Sequence, residues 1–151
     1  MPRRSSRTNR EEIALAKGYR SGIEMQIQQQ LENAGVAVSY ESHKIPYIGK
    51  PHSYTPDFVL PNGIIIETKG YFVPEDRTKH LLIKQQHPAL DIRFVFQNPK
   101  NRLNKNSNTT YGMWCTKNGF LFAARYIPVE WLLEPFDEKR YAAIHGFEKT
   151  H

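Results

Sequence analysis

Asp57, Glu67 and Lys69 are three ionisable residues set into an otherwise apolar stretch, TPDFVLPNGIIIETKG, which spans residues 55–70. The turn between the acids decides whether they meet. Pro61 holds φ near −65°, so Pro61-Asn62 cannot form a two-residue hairpin loop of the primed type, whose first position needs positive φ. A three-residue loop fits instead: Pro61 and Asn62 make a type I turn and Gly63 takes the left-handed bulge position. Leu60 then closes against Ile64, and Asp57 stands opposite Glu67 with Cβ atoms about 5 Å apart. Lys69 follows on the same face.

Two carboxylates at that distance repel each other, so one takes up a proton or a cation sits between them. An ordinary cross-strand ion cluster explains the trio equally well at this level. The presence of Ile65 on the same face argues for partial burial, and a partly desolvated acid pair suits a divalent metal. Mg²⁺ takes carboxylate oxygens and waters, and the backbone carbonyl of Thr68 can complete its shell. Such a metal would activate water and shield a phosphate.

The elements around the hairpin follow from punctuation and periodicity. Ser21-Gly22-Ile23-Glu24 has the form of a capping box and Gly35 sits at a C-terminal cap position, predicting a helix whose apolar face carries Ile23, Ile27, Leu31 and Ala34. Glu24 lies at the margin of that face. It is either a capping-box residue or a carboxylate reaching a cleft, and both readings stay open. VAVSYESHKIPYI predicts a strand with Pro46 at an edge or connector. Pro74-Glu75-Asp76 starts a helix that stops near His87, with Arg77, His80 and Lys84 as a basic, water-facing stripe. DIRFVFQ is a strand, residues 98–110 a long loop, Tyr111–Asn118 a short helix, FLFAARYIP a last strand, and Pro128–Leu133 a helical turn. Alternating strands and helices predict an α/β fold with a mixed central sheet flanked by helices.

Composition bounds the partners. The 151 residues make one domain, with 21 Lys and Arg against 15 Asp and Glu. A net charge of +6 favours anionic partners. Basic residues cluster twice: Arg3, Arg4, Arg7 and Arg10 in an acid-free arm, and Lys100, Arg102 and Lys105 in the long loop. The single cysteine, Cys115, excludes an internal disulfide and a cysteine zinc cluster, which fits a cytoplasmic protein. No apolar run approaches the roughly 20 residues of a membrane span, and no signal-peptide core follows the basic start. His43, His52, His80 and His87 have no metal-binding spacing and are expected to be structural or surface residues.

Pro56-Asp57 followed by Glu67-Thr68-Lys69 resembles the PD-(D/E)xK nuclease signature. RSGIE at 20–24, the whole of 54–70, RTKHLLIKQQHP at 77–88 and IPVEW at 127–131 resemble phage endonuclease I, in that order. That is the four-way-junction resolvase family of T-seven-like podophages. The resemblance covers about residues 19–134, leaving an N-terminal basic arm, 1–18, and a C-terminal tail, 135–151.

It implies a restriction-endonuclease-like core and an intertwined, domain-swapped homodimer bridged near residues 43–49. Asp57, Glu67 and the Thr68 carbonyl would hold Mg²⁺, for which Mn²⁺ would substitute, and Glu24 of the partner chain would help bind a second ion or its water. Lys69 would orient the attacking water or stabilise the pentavalent phosphate. The implied activity is resolution of four-way and other branched DNA junctions by paired nicks, in the host cytoplasm and without a membrane. DNA contacts are expected from Arg3, Arg4, Arg7, Arg10, Arg20, Arg77, Lys84, Lys100, Arg102 and Lys105. The alternatives are a non-catalytic branched-DNA binding protein and a sequence-specific restriction-type endonuclease.

Overall fold

A computed structural model describes residues 22–49 and 53–147. The Ser21 cap, the basic arm and His52 fall outside the described residues. Helix α1 (Gly22–Asn33) leads to two short strands, β1 (Ser39–Tyr40) and β2 (Ile45–Pro46), then β3 (Ser53–Tyr54), β4 (Phe58–Val59) and β5 (Ile65–Lys69). There follow α2 (Pro74–Gln86), β6 (Ile92–Phe96), α3 (Tyr111–Lys117), β7 (Phe122–Ala124), α4 (Val129–Leu133) and α5 (Glu138–His145).

The main sheet has the order β1-β4-β5-β6-β7, antiparallel up to β5 and parallel from β5 to β7. Parallel neighbours need a crossover, and α2 and α3 supply the two crossovers. The sheet is therefore mixed and flanked by helices, as the alternation of patterns predicts.

Strand alternation sorts the core into two layers. Ile65, Ile92, Phe94 and Phe96 face a cluster with Ile83 of α2 and Trp114 and Cys115 of α3. Phe58, Ile66 and Val95 face the other side, against Ile23, Ile27 and Leu31 of α1 and Trp131 of α4. Successive side chains of β5 and β6 thus serve opposite layers, which is why both strands are buried along nearly their whole length. Burial pushes the Cys115 thiol up to about 12, so it behaves as a small core hydrophobe.

The hairpin turns as its sequence requires. Phe58 pairs with Ile66 and Val59 with Ile65. Gly63 N–H donates to the Leu60 carbonyl at 2.9 Å, Leu60 N–H donates to Ile64 at 2.8 Å, and Gly63 has φ of 94°. Its missing side chain is also needed for packing, because a Cβ there would stand 2.9 Å from both Arg140 Cγ and Tyr141 N of α5.

Three expectations change. The strand expected over VAVSYESHKIPYI is broken: Glu41 adopts φ of 46°, β1 joins the main sheet beside β4, and β2 forms a separate pair with β3. Ala34 lies beyond the end of α1 and is exposed. The basic stripe on α2 is not one solvated face. His80 is fully buried against Tyr54, Phe94 and Phe120, because its three-residue spacing from Ile83 turns it into the core. Arg77 instead donates to the Phe72 carbonyl at 2.6 Å, and only Lys84 of the three is exposed.

The C-terminal segment carries helix α5, for which the sequence reading gave no element. Asp137 caps it by accepting from Lys139 N–H and Arg140 N–H, and Ile144 enters the first core layer. Arg140 and Arg93 share Asp91 and Glu134 in an ion network, and Arg140 also donates to the Asn62 carbonyl in the hairpin turn. Asn62 in turn donates to the carbonyls of Trp131 and Glu134. The turn that sets the Asp57–Glu67 register is therefore clamped by the C-terminal segment.

Candidate active site

Extending the observed β4–β5 register by one residue sets Asp57 across from Glu67, with the Asp57 N–H 3.4 Å from Glu67 Oε2. Both side chains are buried, at 4% and 3% exposure, and both line one cleft of about 360 Å³. Thr68 fixes the aspartate: its N–H and its hydroxyl both donate to Asp57 Oδ2, at 2.9 and 2.8 Å. Tyr54 fixes the glutamate through a 2.6 Å bond from its hydroxyl to Glu67 Oε2. Lys69 Nζ lies 3.7 Å from Glu67 Oε1 and 3.4 Å from Asp76 Oδ1.

Glu24 reaches the same cleft from the first turn of α1, buried and bonded by the Tyr40 hydroxyl at 2.7 Å. Of the two readings left open by the sequence, the structure places this carboxylate in the cleft, within its own chain.

The electrostatics are unbalanced. Burial, then the charge of Glu67, then that of Glu24 push the Asp57 carboxyl well above the usual carboxylate range, against the opposing pull of the Thr68 hydrogen bonds. Burial works against the Lys69 ammonium, yet Glu67, Asp76 and Asp57 outweigh it and hold its pKa above the ordinary lysine value. Burial and the adjacent Glu67 keep the Tyr54 phenol protonated far into the alkaline range. Among the described residues, four carboxylates line the cleft (Glu24, Asp57, Glu67, Asp76) against two ammonium groups (Lys69, Lys79). In a chain of net charge +6 this is a local excess of negative charge.

Among the described residues no three His, Cys, Asp or Glu side chains converge as a ready-made metal cage. The acids form a closely held pair, Asp57 and Glu67, with Glu24 anchored beside it by Tyr40. A pair of carboxylates with room for waters suits Mg²⁺, which rarely uses an all-protein cage. Thr68 adds to the fit, since the N–H and C=O of a strand residue point to the same edge and its N–H already faces Asp57.

Sequence reasoning did not find Tyr54, Tyr40, Asp76, Ser53, Thr55 or Lys79 in or beside the cleft. Asp76 had a visible signal, an acid at a helix start seven residues beyond Lys69, but that position already has a helix-dipole explanation. The tyrosines carry no periodic signal; Tyr40 meets the acids because β1 pairs with β4, and Tyr54 because its hydroxyl reaches Glu67 from the separate β2–β3 pair.

Of the expected DNA-contacting residues, Lys100, Arg102 and Lys105 are exposed on the 98–110 loop, which an Arg102–Thr110 bridge closes at its base. Arg77 is half-buried. Lys84 lies over the Phe120 ring at 4.6 Å and donates to the Gly119 carbonyl. Arg3, Arg4, Arg7, Arg10 and Arg20 lie outside the described residues.

The family model for phage endonuclease I matches residues 5–151. The chain belongs to the phage endonuclease I family. It is 51% identical over 128 residues to Endonuclease I of Escherichia phage T7, covering 83% of this chain and 86% of that protein. It is 52% identical over 124 residues to Endodeoxyribonuclease 1 of Enterobacteria phage T3, covering 81% and 82%. The family match includes α5 and the ion network, so the C-terminal clamp on the hairpin falls within the family's own extent. Among the described residues of this family member, no helix is long and apolar enough to cross a membrane.

Proposed function

We propose that this phage endonuclease I family member is an endodeoxyribonuclease that resolves four-way and other branched DNA junctions by divalent-metal-dependent phosphodiester hydrolysis. The observation that carries this reading is the buried Asp57–Glu67 pair in a cleft with more acid than base. A phosphodiester is anionic and would be repelled by such a cleft, so a cation is needed before substrate can enter. Asp57, Glu67 and the Thr68 carbonyl would hold Mg²⁺, or Mn²⁺ in its place, with Glu24 serving a second ion or its water. A bound ion would supply Lewis-acid charge to the phosphate and lower the pKa of a water.

The chain's own residues do the rest. Water attacks phosphorus in line; one P–O bond forms as one P–O ester bond breaks, the electron pair leaves on the departing ester oxygen, and the proton lost by the water ends, net, on that oxygen. Lys69, whose ammonium lies 3.7 Å from Glu67 Oε1, would orient the attacking water or neutralise charge on the pentavalent phosphate. Asp76 holds that ammonium at the cleft wall.

Junction selectivity would come from shape. Exposed Lys100, Arg102 and Lys105 can contact phosphates, which position a duplex without reading its bases. Arg77, Lys84 and the arginines of the N-terminal arm would extend that basic track. Paired nicks need two sites, and a symmetric homodimer supplies them. Exchange of α1 and β1 between chains through the 43–49 segment would put a partner's Glu24 where this chain's own Glu24 lies.

The test compares nicking of a four-way junction with linear duplex of the same sequence, in Mg²⁺ and in EDTA. Cleavage of the junction with Mg²⁺, abolished by Asp57→Ala, is the expected result. Junction binding without any cutting would favour a non-catalytic binder, and recurring fixed cuts in linear DNA would favour a restriction-type enzyme.

A further inference from the structure

We infer that Tyr54 is a positioning residue for the metal-dependent reaction, holding the Glu67 carboxylate in its working orientation. The inference rests on the proposed role of the Asp57–Glu67 pair. Glutamate has three side-chain torsions, so burial alone does not fix where its oxygens point. Tyr54 does this at one oxygen: its hydroxyl donates to Oε2 at 2.6 Å, a short bond of the kind made to a charged acceptor. The second oxygen, Oε1, is directed to Lys69 Nζ at 3.7 Å. The plane of the carboxylate is thus set between a phenol in the core and an ammonium in the cleft.

The phenol is itself held rigidly. Tyr54 is 1% exposed and its ring meets His80 edge-on at 5.0 Å, while Lys79 Nζ lies 5.6 Å over the ring centroid. His80 is fully buried and packs on Phe94 and Phe120, so the support continues into the first core layer. Behind the ring, β3 is paired to β2 with Tyr54 opposite Ile45. Groups that orient a metal's ligands typically change metal affinity or activity by about 10- to 100-fold when removed.

The experiment uses full-length Tyr54→Phe, which keeps the ring and removes only the donor. Mn²⁺ affinity is measured by calorimetry on the metal-free protein without DNA, and nicking is measured across a Mg²⁺ titration. Tyr54→Phe is expected to weaken Mn²⁺ binding about 10- to 100-fold and to raise the half-saturating Mg²⁺ by the same factor. Junction affinity in EDTA should stay at the wild-type value, a split that a loss of general structure would not produce. Placed on Glu67→Gln, the substitution should weaken Mn²⁺ binding no further. Unchanged Mn²⁺ affinity in Tyr54→Phe, or additional weakening on Glu67→Gln, would overturn the inference while leaving the nuclease reading intact. Loss of all metal dependence in wild type would instead remove that reading itself. If the phenylalanine ring fails to pack, Tyr54→Met repeats the measurement with a smaller, flexible side chain that also lacks the donor.

Discussion

Asp57→Asn should make the metal-free protein more stable while destroying its activity. Burial and the charge of Glu67 across from it both disfavour an ionised Asp57, and two charges at the roughly 5 Å spacing of opposed cross-strand side chains repel by about 3 kcal/mol at an effective dielectric of 20. Asparagine removes one charge and keeps an oxygen to accept from Thr68 N–H and Thr68 Oγ1–H. Those bonds weaken by about 1 kcal/mol each when their acceptor becomes neutral. The net gain is about 1 kcal/mol, or about 2–4 °C in Tm for a chain of this size.

The sign of the pH dependence follows from the raised carboxyl. Native Asp57 keeps its proton after the unfolded chain has released it near pH 3.9, so wild-type stability falls as pH rises through and beyond that value. The variant lacks this dependence, and its advantage should open above about pH 4. Melting curves in EDTA from acid to pH 8, at fixed protein concentration, measure the effect. Millimolar Mg²⁺ should then stabilise wild type by mass action, leave the variant unchanged and invert their order. A variant that melts below wild type in EDTA at pH 8, or that gains as much from Mg²⁺, would refute the reasoning.

Lys69→Met should lower the single-turnover nicking rate by about 100- to 1,000-fold, the usual cost of losing one transition-state charge stabiliser, while gel-shift affinity for the junction holds. Asp76→Asn should cost less, because it removes the group that tethers the ammonium and leaves the ammonium itself; equal losses would contradict that ordering. Glu134→Gln should lower Tm at neutral pH, and the difference should shrink as pH falls from 4.5 through about 2, since hydrogen bonds from Arg93 and Arg140 depress that carboxyl and protonation removes what they bind. Its carboxylate is 35% exposed, so solvent screening keeps the effect modest. Mixing Glu24→Ala with Asp57→Ala should restore junction nicking if chains exchange α1, because one site of each mixed dimer is then intact; a mixture as inactive as its parents would mean that Glu24 serves its own chain.

The hairpin was legible because its turn chemistry is local. Proline at 61 and glycine at 63 admit few loops, and the loop alone sets which residues oppose each other. Helices α1 to α4 were legible from caps, prolines and periodicity for the same reason. His80 was not, since a single residue of phase on a weakly amphipathic helix decides between solvent and core. Helix α5 was missed although Asp137 at its cap, Glu138 in its first turn and His145 in its last are all favourable signals. Only its tertiary contacts, Ile144 in the core and Arg140 on the hairpin turn, show its purpose. In the site, the acids and Lys69 were readable from spacing. The tyrosines that orient the acids were not, because Tyr40 and Tyr54 meet them through the interruption of the strand at Glu41 and the β2–β3 pairing.

The most direct test of the metal site is an anomalous difference map from crystals of the full-length protein soaked in Mn²⁺. The account predicts a peak between the carboxylates of Asp57 and Glu67, lost in Asp57→Asn. A map with no peak there, or with Mn²⁺ bound elsewhere in an enzyme that still nicks junctions, would contradict it.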